Sequence, residues 1–154
     1  MSGSTLSANS ASDDGGALYM ALWDTSAPVT ISSCVFTGNT AGEDGGAAIW
    51  WNGGVTFSGC DFIENQADEG GALTVESSDS STIDSCMFTG NLAVYPGGAI
   101  LLEDGELTIS NCGFSQNQAI YGGAVCGTGD EDDYSLILTD CTFTENEAGY
   151  GGGV

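Results

Sequence analysis

The 154-residue chain contains no lysine, arginine or histidine, against 22 aspartate and glutamate residues. Without basic side chains the chain cannot neutralise phosphates, which excludes nucleic acid as a partner and disfavours direct contact with anionic membranes. The missing histidine excludes Ser-His-Asp and Cys-His catalysis within this chain. Solvent, salt or bound cations must therefore balance a net charge of −22.

Long apolar stretches are also missing. No run approaches the ~20 apolar residues of a membrane span, and the N-terminus has neither the basic nor the apolar region of an export signal. We therefore expect residues 1–154 to be a single segment of a longer repeat protein. The acidic composition suits a salty or calcium-rich exterior, so we expect the segment to be extracellular or at the cell surface.

What the sequence has in abundance is one repeated phrase, Cys-x-Phe-x-x-Asn followed by Gly-Gly-Ala. Its phenylalanines are 26 residues apart until the last step, which is 29, and a degenerate copy begins at Ser4. A fixed period of this length indicates a solenoid. The repeated residues are Cys34, Cys60, Cys86, Cys112 and Cys141; Phe36, Phe62, Phe88, Phe114 and Phe143; and Asn39, Asn65, Asn91, Asn117 and Asn146.

Each repeat contains short segments in which apolar residues alternate with others, at 29–31, 55–57, 107–109 and 136–138. Alternation of this kind predicts half-buried strands. A second strand carries the Cys and Phe, and a third follows each Gly-Gly pair. The sequence thus predicts an all-β, three-sided parallel β-helix (β-solenoid) of about five coils, each of 25–30 residues.

The paired motifs Gly-Gly-Ala-(Ile/Leu/Val) and Phe-x-x-Asn resemble the repeats of chlamydial polymorphic outer membrane proteins. The first motif is at 15–18, 70–73, 97–100 and 122–125, and the second is at 36–39, 62–65, 88–91, 114–117 and 143–146. The resemblance implies a right-handed parallel β-helix of the pectin-lyase-like kind. It also implies a surface-exposed passenger or adhesin.

The repeated residues themselves are predicted to be structural. Asparagine at a corner can adopt an unusual backbone dihedral and hydrogen-bond to the asparagines above and below it, and each Gly-Gly pair marks a turn or a close approach. The cysteines of this column are expected to be buried and mostly reduced, and one or two disulfides could form in an oxidising compartment. Cys126, on another strand, is the odd thiol.

Acidic side chains are the candidate metal ligands, and calcium is the one cofactor considered. One set precedes the Gly-Gly pairs of the early coils, where either water or a cation must relieve the repulsion between stacked carboxylates. In the later coils Tyr95, Tyr121 and Tyr150 occupy the same corner. A second set is in an acidic loop. The candidate ligands are Asp13, Asp14, Glu43, Asp44, Asp68 and Glu69, and, in the loop, Asp130, Asp132 and Asp133.

No catalytic residue is predicted. A glycoside hydrolase needs two suitably spaced carboxylates, and pairs such as Asp61 with Glu64, or Asp84 with Asp61, occur in no recognisable motif. The threonine rank Thr30, Thr56, Thr82 and Thr108 reflects strand propensity or, alternatively, an ice-binding surface.

The leading hypothesis is a non-catalytic stalk, filament or adhesin segment. Its partners would be further coils or protomers stacked end to end, and a host or surface protein or glycan. The alternative is a carbohydrate-binding or polysaccharide-degrading module that uses Trp23, Trp50 and Trp51, and ice binding is a third. The longest loops, at 21–28 and 127–135, are the expected location of function.

Overall fold

The computed structural model describes residues 1–21, 29–76, 79–128 and 134–154, and these contain short β-strands and turns without helices. No segment of this part of the chain is therefore a helix long and apolar enough to cross a membrane. The strands in chain order are β1 (Thr5–Ser7), β2 (Leu18–Ala21), β3 (Val29–Ser32), β4 (Val35–Thr37), β5 (Ala48–Trp51), β6 (Val55–Ser58), β7 (Asp61–Ile63), β8 (Gln66–Ala67), β9 (Leu73–Glu76), β10 (Ser81–Asp84), β11 (Met87–Thr89), β12 (Leu92–Ala93), β13 (Ile100–Ser110), β14 (Gly113–Ser115), β15 (Gln118–Tyr121), β16 (Val125–Gly127), β17 (Tyr134–Thr139), β18 (Thr142–Thr144) and β19 (Glu147–Tyr150).

Each strand pairs in parallel with its equivalents one coil away. In the six-stranded sheet β1-β4-β7-β11-β14-β18, the register aligns Leu6 with Phe36 and continues without a slip to Phe143. Six rungs enclose about five complete turns, which confirms the predicted all-β parallel β-helix.

The composition of the sides differs from the prediction. The strands after the Gly-Gly pairs and those before the cysteines join in one nine-stranded sheet, because β13 runs through both stacks. Seven strands follow the order β2-β5-β9-β13-β10-β6-β3, and β16 and β17 also pair with β13. The third sheet, β19-β15-β12-β8, is formed by short strands after each asparagine that the sequence did not suggest. These strands have two residues in β8 and β12 and four in β15 and β19.

Three corners per coil separate these sheets, and each contains a residue with a left-handed backbone. The first corner precedes the Cys position, the second precedes the Asn position, and the third is the first glycine of the Gly-Gly pair. The ladder asparagines themselves have ordinary φ values, so the expectation that they adopt the unusual dihedral was wrong. The left-handed residues at these corners are Gly3, Ser33, Gly59, Ser85, Asn111 and Asp140; Ala8, Gly38, Glu64, Gly90, Gln116 and Glu145; and Gly15, Gly45, Gly70, Gly97, Gly122 and Gly151. Asn52 and Gly53, between β5 and β6, and Gly105, within β13, are left-handed as well.

The two glycines of each pair have different roles. The first has a positive φ, which glycine adopts without strain. The second lies against the next coil: a Cβ on Gly46 would collide with the carbonyl oxygen of Gly71, and one on Gly98 with that of Gly123. The pair therefore combines the predicted turn with the predicted close approach.

Candidate functional site

The five phenylalanines of the repeat fill the interior. Phe36 to Phe114 are buried, and successive rings from Phe36 to Phe143 stack 4.7–4.9 Å apart with interplanar angles of 1–7°. Aromatic pairs contribute about 0.5–1.5 kcal/mol beyond the area that they bury. This column belongs to the core and offers no surface to a ligand.

The asparagines form a continuous, directional ladder. In each rung the backbone N–H and Nδ2 both donate to Oδ1 of the asparagine one coil later, as Asn65 does to Asn91 at 3.0 Å. Nδ2 also donates back to a carbonyl of the preceding coil, as from Asn65 to Phe36 at 3.1 Å. Asn39, Asn65, Asn91 and Asn117 are completely buried, so every rung saturates amides that would be costly to leave unpaired.

All six cysteines are free thiols, and the column from Cys34 to Cys112 is buried. The sulfurs act as corner hydrogen-bonding groups: Cys86 Sγ donates to Asp84 O at 3.3 Å and accepts from the backbone N–H of Cys60 at 3.3 Å. The neighbouring cysteines and burial raise the pKa of Cys86 well above its usual range. Cys126 is half-buried, and burial together with the charge of Glu69 raises the pKa of its thiol.

The outer face of the strands that follow the Gly-Gly pairs is covered in the middle coils, whereas the equivalent Tyr19 of the first coil is 49% exposed and Cys126 is half-buried. Ile49, Thr74 and Leu101 occupy equivalent outward positions in successive coils and are completely buried. The corner that precedes each Gly-Gly pair packs against this face, and Thr74 Oγ1 approaches Glu69 O at 3.5 Å. We call these corner segments, residues 11–16, 41–46, 67–71, 93–98, 119–123 and 148–152, the Gly-Gly corner.

In the first three coils the Gly-Gly corner carries two carboxylates per coil, and we call this region the acidic half. Asp13, Glu43 and Asp68 point into solvent, whereas Asp14, Asp44 and Glu69 are half-buried. Asp44 pairs with Glu69 through the backbone, and its N–H donates to Asp14 Oδ1 at 3.4 Å. One carboxylate of each pair is therefore solvated, as one of the two predicted alternatives has it, and the other is crowded. The other alternative, a bridging cation, stays a prediction.

This crowding raises the pKa values of two carboxyl groups in the region. Burial, followed by the charges of Glu69 and Asp14, raises the pKa of Asp44 from 3.8 to about 6. Burial and then the charges of Asp44 and Glu76 raise the pKa of Glu103, in β13, from 4.5 to about 7. A cavity of about 360 Å³ is lined by both side chains together with Glu43, Asp68, Glu69 and Tyr95.

Calcium binding stays a prediction. Within the described ranges, no group of three or more His, Cys, Asp or Glu side chains is arranged to hold a metal ion. That finding includes the acidic half, whereas the candidate ligands Asp130, Asp132 and Asp133 lie outside the described residues.

In the last three coils the Gly-Gly corner is aromatic, and we call this region the tyrosine half. Tyr95, Tyr121 and Tyr150 are 50%, 48% and 69% exposed, and the rings of Tyr121 and Tyr150 stack at 5.3 Å. Pro96, rather than Tyr95, is the residue in register with Tyr121. A second cavity, of about 510 Å³, is lined by Glu69, Tyr95, Pro96, Tyr121, Cys126 and Thr128.

The two cavities share Glu69 and Tyr95, so they form one depression across several coils, which we call the corner groove. Its lining includes Glu103 of β13 and Cys126 of β16, and its wall changes from carboxylates to tyrosines along the axis. The corner groove is the candidate functional site.

The family model described as "Right handed beta helix region" matches residues 2–143. The chain belongs to this family. The match establishes the right-handed winding of the coils, whereas the more specific chlamydial repeat type stays a resemblance. No curated protein and no solved structure matches the chain.

Membership of the right-handed β-helix family does not decide whether the chain is an enzyme. Of the carboxylates considered from sequence, Asp84 accepts hydrogen bonds from Asn111, Ser110 and Ser85, at 2.9, 2.7 and 2.9 Å. These bonds lower the pKa of Asp84, which makes its carboxyl a poor proton donor. Asp61 and Glu64 line none of the described cavities.

The tryptophans do not form the exposed set that the carbohydrate-binding hypothesis requires within the described residues. Trp50 is completely buried and its Nε1 donates to Gly53 O at 2.7 Å, so its proposed role as a surface ligand was wrong. Trp51 is partly exposed beside Tyr19, at a ring distance of 6.2 Å. Trp23 lies outside the described residues, as do residues 22–28 and 129–133 of the two longest loops.

The threonine rank is in register on an outer face. Thr30, Thr56, Thr82 and Thr108 align in successive coils, and Ile137 ends the rank. This alignment agrees with strand propensity, and ice binding stays a prediction.

The sequence prediction included part of the corner groove. It missed Glu103, which lines the groove, Glu76, whose charge acts on Asp44 and Glu103, and the covered outer face of the strands. The sequence does contain a pattern that indicates burial of this outer face. The strands 47–51 and 99–102 are continuous apolar runs instead of alternating ones, a pattern typical of strands that are buried on both faces.

Proposed function

We propose that this chain is a non-catalytic structural or adhesive segment, displayed outside the cell, which holds a variable outer corner on a constant backbone. The observation that carries the proposal is the contrast between interior and corner. The Phe and Asn columns keep one register through every coil, while the Gly-Gly corner changes from carboxylates to exposed tyrosines. A change of surface chemistry at constant backbone geometry suits a segment that displays a binding surface.

The first test is location, in the organism that encodes the chain. Antibodies to the recombinant segment should label intact cells or the surrounding matrix, and external protease should remove the label. Labelling that requires permeabilised cells would contradict an extracellular role.

A second candidate function is a carbohydrate-active module at the same corner. Asp44 and Glu103 line one cavity and have raised pKa values of about 6 and about 7, and acid–base catalysis needs carboxyls that titrate near neutral pH. Among carbohydrate-active enzymes, a hydrolase fits better than a lyase. A lyase needs a basic residue to accept a proton, and the chain has none.

Cleavage assays separate the two candidates. We expect no release of reducing ends or unsaturated products from pectic and algal polysaccharides. Cleavage that disappears in both Asp44→Asn and Glu103→Gln, but persists in Glu64→Gln, would replace the structural proposal with the enzymatic one.

A further inference from the structure

The corner groove combines two kinds of side chain that attract cations. One part is lined by the carboxylates Glu43, Asp44, Asp68, Glu69 and Glu103, and the adjoining part by the rings of Tyr95 and Tyr121. Carboxylates attract cations through charge, and tyrosine faces attract them through the ring quadrupole. Both parts of the groove therefore select a positively charged ligand.

The chain cannot supply that ligand from its own side chains. The sequence contains no lysine, arginine or histidine, so no internal salt bridge competes for the groove. Burial and mutual repulsion already raise the pKa values of Asp44 and Glu103, and a cation placed between them would relieve that repulsion.

We propose that the corner groove is a docking site for an extended, arginine-bearing segment of a partner protein. The inference rests on the proposed adhesive function and names the class of partner. Charge complementarity between the groove and the partner segment is the main argument, and the length of the groove and its lining by Pro96 and tyrosine rings are the others.

Arginine fits the groove better than lysine because its planar guanidinium stacks on an aromatic ring and donates two parallel hydrogen bonds to a carboxylate. Glu69 and Tyr95 line both cavities, so a guanidinium at their junction meets a carboxylate and a ring together. Lysine would retain the charge but lose the planar stacking.

A peptide segment fits better than a small organic cation because the groove spans several coils and is partly lined by an apolar residue. Coil-to-coil spacing is 4.7–4.9 Å in the phenylalanine column, and Pro96 lines the cavity that contains Tyr95 and Tyr121. Side chains that alternate along an extended segment can contact Pro96 between arginines.

The test is calorimetric titration of the whole chain with the synthetic peptide acetyl-(Gly-Arg)4-amide at pH 8. The matched control is the same peptide with citrulline, which retains the shape of arginine without its charge. We expect the arginine peptide to bind, a lysine peptide to bind more weakly and the citrulline peptide not to bind.

Variants locate the site. Tyr95→Leu and Tyr121→Leu should each weaken binding about three- to tenfold, the range of one cation–π contact, and Glu69→Gln about tenfold. Glu64→Gln, an exposed carboxylate outside the groove, should leave affinity unchanged. Circular dichroism of each variant excludes loss of folding as the cause.

Several results would overturn the inference. These are no binding of the arginine peptide, equal binding of the citrulline peptide, or equal losses in Glu64→Gln and Glu69→Gln with no loss in the tyrosine variants. Binding of an oligosaccharide at the tyrosines in place of the peptide, or self-association that occupies the groove, would also overturn it. None of these outcomes alters the location test, so the proposed function and this inference fail separately.

Discussion

The acidic half and the tyrosine half occupy the same corner of the same repeat. In both, the first glycine is left-handed and the second lies against the next coil. The acidic half nevertheless concentrates repelling carboxylates, whereas the tyrosine half exposes rings that stack on one another. The comparison shows that the backbone of this corner is determined by its glycines and by the interior columns, and that the outer side chains are free to vary.

The most severe way to test this comparison is to place a methyl group on the second glycine in each half. Gly46→Ala and Gly98→Ala each direct a Cβ into a backbone carbonyl of the next coil, and we expect each to lose about 3 kcal/mol or more of unfolding free energy. The losses should agree within about 1 kcal/mol. Urea denaturation followed by circular dichroism measures both.

Gly113→Ala is the control, because its Cβ would meet only the flexible end of Met87. A wild-type denaturation midpoint for Gly46→Ala, or a much larger loss in one half than in the other, would contradict a common backbone.

A smaller difference should appear with pH. The folded-state pKa values of Asp44 and Glu103 are about 6 and about 7, above the ordinary 3.8 and 4.5, so the folded chain binds these protons more tightly than the unfolded chain. Their contribution to stability is complete below about pH 4 and is lost as pH rises through 6 to 7. The double variant Asp44→Asn/Glu103→Gln should therefore be more stable than wild type at pH 8 by roughly 1 kcal/mol, after allowance for solvent screening.

At pH 4 the same pair of proteins should have nearly equal denaturation midpoints. The matched control, Glu64→Gln/Glu147→Gln, removes two exposed carboxylates away from this cluster and should show a smaller gap that changes little with pH. A stability gap that does not narrow between pH 8 and pH 4 would show that the crowding of Asp44 and Glu103 is not its cause.

The smallest expected effect comes from introducing a carboxylate into the tyrosine half. Tyr121→Gln removes the ring contact with Tyr150, at a cost of about 0.5 kcal/mol. Tyr121→Glu adds a charge in the cavity that contains Glu69, which should cost a few tenths of a kcal/mol more at low salt. The difference between Glu and Gln should vanish in ~1 M salt because the charges are then screened. Thermal melts of both variants measure it, and a difference that survives high salt would contradict an electrostatic origin.

Much of the architecture was predictable because repetition imposes it. One phrase recurring every 26–30 residues is sufficient to place Phe62, Cys60 and Asn65 in columns, since residues separated by one coil must stack. The roles of both glycines followed from their lack of a side chain.

Other features depend on contacts that no single repeat encodes. The third sheet arises from two to four residues after each asparagine, too short for a periodic signal, and it lengthens where Ile120 and Tyr121 favour extended pairing over the acidic pair at 68–69. Trp50 was named for the carbohydrate-binding alternative, yet it is completely buried in the core. Glu103 was missed because its neighbours Asp44 and Glu76 come from other coils.

The asparagine ladder gives the β-helix a direction along its axis. Each asparagine from Asn39 to Asn117 accepts from the asparagine of the previous coil and donates to that of the next, as Asn39 does to Asn65 and Asn65 to Asn91, so the amide dipoles add along the axis and polarise one another. One end of such a ladder presents amide donors, and the other end presents amide acceptors. A second β-helix stacked on an end can therefore continue the asparagine column only when its chain runs in the same direction. A reversed β-helix would place donors against donors or acceptors against acceptors.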